Sequence, residues 1–460
     1  MGLVERFVTV RGFLRILGCT YFVAFVSFGT QAMGLIGSHG ILPLGDYLRA
    51  AREGAGLAAW WDVPSLFWLN SSDAAVRAVW ILGAVCALVA ASGLWQRRAL
   101  AACLVLWLSV CSAGQDFLSF QWDVLLLEAG FLALFADESR VRIWLFRWLL
   151  FRLMIFSGLV KLLSGDPVWH NLTAMAYHYE TQPLPTPLAW YLHQLPLGLQ
   201  KVSTGFVFLA ELAAPLLFLA PRRWRHLGGW ITVGFQVSIL LTGNYTFFNF
   251  LTIALAMFLF IEPTEPRREV ASEPRPLGSG GARVVTLALA GFVGVVSGLL
   301  FLELFSVAVP GGNEVLRMAG PLRIVNSYGL FAVMTTTRPE IVVEGSNDGV
   351  TWAAYEFRYK AGGVMRAPPV AAPHQPRLDW QMWFAALGTY RQNRWFVNFM
   401  VRLLQGEPSV LRLLESNPFK AAPPKYVRAE LYLYHFTRWG DRAWWRREDR
   451  GIYFPPASLQ

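Results

Sequence analysis

The sequence is short of charge. Only 15% of its 460 residues are Asp, Glu, Lys or Arg, whereas 55% are hydrophobic. A soluble domain has about 25% charged residues and about 45–50% apolar ones. The polar residues are too few to coat a globule of this size, which excludes an ordinary soluble protein. Cysteine is scarce as well. Cys19, Cys86, Cys103 and Cys111 all sit in apolar runs, none at CxxC spacing. This excludes a disulfide framework or thiolate metal site and reads as four small buried hydrophobes. The chain also lacks a basic helix, a Gly-rich phosphate loop, zinc spacing and an RNA-binding aromatic motif. Its formal charge of +10 therefore does not point to nucleic acid. There is no GxSxG, no nucleophile–base motif and no pair of carboxylates in a polar context, so motifs make no case for an enzyme.

What is present is long apolar runs, with 20 Trp and 33 Phe, aromatics that collect at bilayer interfaces. The runs predict about nine spans, at 13–36, 74–94, 99–113, 117–136, 143–163, 203–220, 228–242, 246–262 and 284–307. The fold class expected is a polytopic α-helical membrane bundle with a C-terminal mixed, β-sandwich-like domain outside the membrane. Arginine clusters (6–15, 97–98, 140–142, 222–225 and 267–283) all fall on one side if nine spans alternate. The positive-inside rule makes that side the cytoplasm and places the N-terminus there. The preference for Arg over Lys suggests a bacterial host. The expected organisation is a transmembrane bundle over 1–262, a Pro- and Gly-rich cytoplasmic linker over 263–283, a last span over 284–307 and an extracytoplasmic domain over 308–460. No cysteine lies in the outward loops or that domain, so thiol exchange would lack a reagent there.

Beyond residue 308 the pattern turns to alternation and turns. A strand at 340–343, a tight turn at 346–349 and a strand at 351–359 form a hairpin signal around Asn347-Asp348-Gly349. Residues 379–404 read as one helix with Trp380, Trp383, Phe384 and Leu387 on a face; 426–437 reads as a strand.

Ionisable residues inside apolar helices are costly and require partners. In the fourth span Gln121 and Glu128 share a helix face and Asp123 lies off it. The fifth span offers Arg147, Arg152 and Lys161, with Arg152 placed to meet Glu128 if the two helices are antiparallel. Buried ion pairs that set helix register explain these residues, and the lone Glu211 of the sixth span. The competing reading gathers Asp123, Glu128, Arg152, Lys161 and His170 around an intramembrane site. In the loop 164–202, His170 and His178 suggest a metal or acid/base pair, yet their spacing is no ligand motif. An interfacial segment with aromatic anchors explains them equally. In the segment 373–387, His374, Arg377, Trp380, Trp383 and Phe384 are candidates for binding a protein client. The plainer reading is Asp379 as a helix cap with a packed aromatic face behind it.

Four segments carry a resemblance: GQDFLSFQWDVLLLEAGFLALF (114–135), the stretch 147–196 beginning RWLLFRLMIFSGLVKLLSGDPVWHN, NSYGLFAVMTTTRPEIVVEGSNDGVTWAAYEFRYKAG (326–362) and PHQPRLDWQMWFAAL (373–387). In this order they resemble the lipase maturation factor family. The resemblance implies a multi-span protein, resident in the endoplasmic reticulum in animals, that helps dimeric lipases reach their active fold. It places the C-terminal region on the lumenal side and assigns lipase interaction to it, here the surroundings of 326–387. It implies no catalytic residues and no cofactor. The expected function is thus a membrane-anchored, chaperone-like maturation factor, with membrane lipids and an exported client as partners. The family is distantly similar to vitamin K-dependent carboxylases and DoxX-type proteins. That likeness carries the alternative: a membrane enzyme with a quinone- or vitamin K-like lipid cofactor near Lys161.

Overall fold

The computed structural model describes residues 8–263 and 279–459. A helix lies on each of the nine apolar stretches: α1 Val10–Gly29, α2 Asp73–Ser92, α3 Gln96–Ala113, α4 Gln121–Ala133, α5 Arg140–Leu163, α6 Leu197–Phe218, α7 Arg222–Thr242, α8 Phe248–Leu259 and α9 Ser279–Leu304. Five of them (α1, α2, α5, α6 and α9) are long and apolar enough to cross a membrane on their own. α4 is shorter than expected because its first turn begins at Gln121, after a tight turn over Gln115–Leu118. Most of the expected linker, with Arg267, Arg268 and Arg275, lies outside the described residues, as does Arg6.

Lipid accounts for the outer surface. Ile81, Leu82, Val85 and Leu88 of α2 and Val284, Val285, Leu287 and Val295 of α9 are all exposed, an arrangement water would penalise. Inside the bundle, apolar burial gives no preference over lipid, so close packing must hold the helices together. α1 and α2 meet through small residues. A Cβ on Gly18 would lie 2.6 Å from the Ala91 backbone nitrogen, and one on Gly83 2.4 Å from the Phe25 ring. α5 reaches α9 through Trp148 Nε1, which donates to Ser297 Oγ at 3.1 Å.

The C-terminal domain is mixed. Strands β1 Arg338–Ser346, β2 Ala353–Ala354, β5 Tyr426–Phe436 and β6 Trp445–Ala457 form an antiparallel sheet in the order β2-β1-β5-β6. A second pair joins β3 Glu356–Phe357 to β4 Leu414–Ser416. The expected hairpin is present. Gly349 adopts φ +75°, and Asp348 Oδ1 accepts from the Val350 and Thr351 amides at 2.8 and 2.7 Å, which holds that carboxyl well below its usual range.

The single helix expected over 379–404 is two: α10 Arg377–Ala386 and α11 Arg394–Leu404. Between them Thr389 and Gln392 form a capping box, which starts a new turn after Gly388. Asp379 does not cap α10, which begins two residues earlier. Its Oδ1 accepts instead from the Tyr359 and Lys360 amides at 2.8 and 2.9 Å.

The α1–α2 contact generates a test. Gly18→Ala forces a methyl against backbone, and overpacking costs about 1–3 kcal/mol. Gly205→Ala, where a Cβ meets nothing within 4 Å, serves as control. Thermal melting in detergent is expected to show a lower transition for the first variant only.

Candidate functional site at the junction of bundle and C-terminal domain

The buried charges of the bundle are answered largely by the chain beyond residue 322. Glu128 accepts from Arg152 Nη2, the partner expected from antiparallel α4 and α5. It also accepts from the Asn326 amide and Nδ2, both at 3.0 Å, and from the Tyr328 hydroxyl at 2.8 Å. Arg152 Nη1 donates onward to the Asn326 carbonyl at 2.8 Å. Gln121, on the same face of α4, accepts from the Gly329 amide at 3.2 Å. Asp123 lies off that face and takes both terminal nitrogens of Arg377 at 2.9 Å. Arg377 also donates to the Phe117 carbonyl at 2.6 Å. Lys161 Nζ meets Glu211 Oε2 at 2.8 Å and donates to the Leu330 carbonyl at 2.9 Å.

Further contacts continue this docking. Asp166 accepts from the Met334 amide at 2.7 Å. Arg338, fully buried, donates to the carbonyls of Glu180, Gln182 and Pro183 at 2.7, 2.5 and 3.0 Å. Asn244 Oδ1 accepts from the Ala371 amide at 2.6 Å. On α1, Ser27 Oγ lies 2.9 Å from His374 Nδ1, and Gln31 Nε2 donates to the Gln375 carbonyl at 2.7 Å. Burial, then nearby Arg377 and Arg358, holds His374 down at about 4, so the ring is neutral at pH 7. Arg147, the third basic residue of α5, belongs to the other end of the bundle, where it donates to the carbonyls of Phe258 and Ile261 at 2.8 and 2.7 Å.

The residues considered as one intramembrane site therefore do not converge. Asp123, Glu128–Arg152 and Lys161 serve three separate pairs, each bound to a different part of 326–377. His170 is exposed, its Nε2 3.3 Å from the Leu162 carbonyl, while His178 is half-buried beside the Tyr245 hydroxyl at 3.3 Å. The client-binding candidates are corrected likewise. Trp380, Trp383 and Arg377 are buried and form no exposed aromatic surface, whereas Phe384 is 42% exposed. Their burial follows from the docking: Trp383 Nε1 donates to the Thr181 carbonyl at 2.9 Å, and Trp380 packs edge-on against Trp122, centroids 4.8 Å apart.

Beside this junction lies a trough of about 400 Å³ between α4, α10 and residues 329–335. Its inner wall is Phe120, Trp122, Phe331, Trp380 and Trp383. Val333, Phe384 and Leu387 stand at its rim, 65%, 42% and 46% exposed. The indole nitrogens of Trp122 and Trp380 are buried without a hydrogen-bond partner among the described residues. A second cavity, of about 360 Å³, adjoins the first and shares Tyr245, Leu330 and Phe331 with it. Sequence reasoning missed Asn326, Tyr328 and Leu330 as partners of the bundle charges. The excess of intramembrane charge over partners within the bundle was the available signal.

Comparison with known proteins extends over 97% of the chain. Residues 8–264 match a family described as Lipase maturation factor transmembrane domain, and residues 324–455 one described as Lipase maturation factor C-terminal domain. Lipase maturation factor 2 of Gallus gallus is 37% identical, the match covering 97% of this chain and 81% of the relative. The Homo sapiens protein of the same name is 37% identical with 97% and 82% covered. Lipase maturation factor 1 of Bos taurus is 36% identical with 97% and 88% covered. No solved structure matches the chain.

Two tests follow from the geometry. Removing one member of a buried ion pair leaves a charge uncompensated and costs about 3–5 kcal/mol. Glu128→Leu and Arg152→Met are each expected to lower the melting temperature sharply, and the double variant to recover part of the loss. Asp379 supplies the second test. Burial raises its carboxyl to about 6 against the opposing Tyr359 and Lys360 amides. The folded protein then holds a proton that the unfolded chain releases near pH 4. This group's contribution falls as pH rises from about 4 to about 6 and is flat above. Asp379→Asn keeps the accepting oxygen, so its melting curves are expected to lose that pH-dependent component.

Proposed function

The chain belongs to the lipase maturation factor family, and from that premise we propose that it matures an exported lipase by holding an apolar segment of the client in the junction trough. It is a multi-pass membrane protein, and its membrane partners are the lipids around α2 and α9. The observation that carries the reading is the trough itself: an aromatic floor and an apolar rim open to the outside. An extended polypeptide fits that combination, because its apolar side chains suit the aromatic floor.

Sidedness enters the proposal from charge. The C-terminal domain meets the ends of α1 and α5, the start of α4 and residue 244. Arg97, Arg142 and Arg225 pair instead at the other end, with the Ala136 carbonyl, Asp137 and Glu262. In a bacterial host the arginine end faces the cytoplasm and the C-terminal domain faces outward; in the endoplasmic reticulum the domain is lumenal. The trough then faces the compartment in which an exported lipase folds. Maturation in this account is binding without bond chemistry, and the dispersal of the intramembrane charges into separate pairs favours it over a cofactor enzyme.

Phe384→Asp and Leu387→Asp place a charge on the rim without touching the buried pairs. Each is expected to lower active lipase per unit lipase protein about tenfold, the effect of losing about 1.4 kcal/mol of contact. Abundance and melting of the membrane protein should stay unchanged. Full lipase activity with both variants would exclude the trough as the client site.

A further inference from the structure

The second cavity has chemistry of its own. It lies between the outward halves of α6 and α7 and beneath residues 330–334, and its volume of about 360 Å³ falls within the range of small-ligand sites. Two features distinguish it from a packing void. The first is its entrance. Val202 lines it and is 68% exposed, and the flanking Leu199 and Leu209 of α6 and Val237 and Leu241 of α7 are exposed apolar residues. Such a wall faces hydrocarbon, so an occupant enters sideways from the bilayer.

The second is its polar end. α6 widens into a π turn over Leu209–Ala213, a local distortion that recurs at functional sites, and the turn carries Glu211 into the cavity. Lys161 spends its other protons on the carbonyls of Ser157 and Leu330, both at 2.9 Å. Glu211 is 93% buried and lines the cavity, with its two oxygens 3.1 and 2.8 Å from Lys161 Nζ. The pair cancels its own charge, so the end offers an acceptor and asks for no charged headgroup. Burial, with Lys161 nearby, holds His178 at about 4, so that neighbouring ring is neutral as well. Ser203, Ser238 and Thr242 add hydroxyls to the lining.

We propose that this cavity binds a neutral single-chain lipid, its hydrocarbon between Val202, Phe206, Phe235 and Ile239 and its hydroxyl headgroup donating to Glu211. The proposal rests on this cavity alone and stands whether or not the adjoining trough holds a client.

The test uses the full-length protein in phosphatidylcholine nanodiscs with a monoacylglycerol carrying a diazirine in mid-chain. After irradiation, peptide mapping is expected to find label concentrated on the facing parts of α6 and α7. Excess unlabelled monooleoylglycerol should reduce it at least tenfold, and oleate should not. Val207→Trp fills the cavity and Ser203→Trp obstructs its mouth; at least one should fold, judged by melting, and each that folds should lose the label. Label spread evenly over α2 and α9 without competition would overturn the proposal. Retention of label in a folded filled variant would do the same, and equal competition by oleate would overturn the hydroxyl headgroup.

Discussion

Charge buried in an apolar bundle governs this structure. A carboxylate or guanidinium among hydrocarbon is tolerable only when paired and hydrogen-bonded, and α4 and α5 carry more such groups than they can satisfy between them. Glu128 and Arg152 pair, yet both still need the Asn326 backbone. Among the described residues of the bundle Asp123 has no basic partner, and it takes Arg377 from the first turn of α10. The C-terminal domain is thus part of the electrostatic solution of the membrane helices. It is bound to them as a core is bound: a freely swinging domain would leave Asp123 and Arg377 unpaired and strip the Glu128–Arg152 and Lys161–Glu211 pairs of their hydrogen bonds to residues 326–330.

This constraint explains the placement of the aromatic residues. Seating Arg377 on Asp123 brings α10 down against α4, and Trp380 and Trp383, one and two positions along the same helix face, are pressed into the junction. What remains open is the edge, where Phe384 and, just past the end of α10, Leu387 sit. The trough lies where α10 meets α4 and residues 329–335.

Much of the fold is legible in the residues, because lipid imposes long apolar runs and the hairpin is written by Asn347-Asp348-Gly349. The Glu128–Arg152 pair is legible for the same reason: seven-residue spacing and antiparallel neighbours leave few alternatives. The Asp123–Arg377 pair is not, since its members are 254 positions apart and Arg377 lies in a segment that reads equally well as surface. The burial of Trp380 and Trp383 was hidden with it, because an amphipathic pattern reports a face and not what covers that face. The break at Gly388-Thr389 was overridden by apolar spacing that continues into α11. Glu211 read as a lone charge because helix periodicity says nothing of a π turn.

The central claim is that the C-terminal domain is locked to the bundle through the bundle's own charges. Hydrogen exchange on the full chain, comparing the native sequence with Asp123→Asn, tests it most directly. Asn keeps the size of the side chain and removes the charge that Arg377 answers. The account predicts faster exchange across 372–381 and also across 326–334, a separate segment held by the same junction, while α1 and α2 stay protected. Faster exchange confined to α4, with both C-terminal segments unchanged, would contradict it.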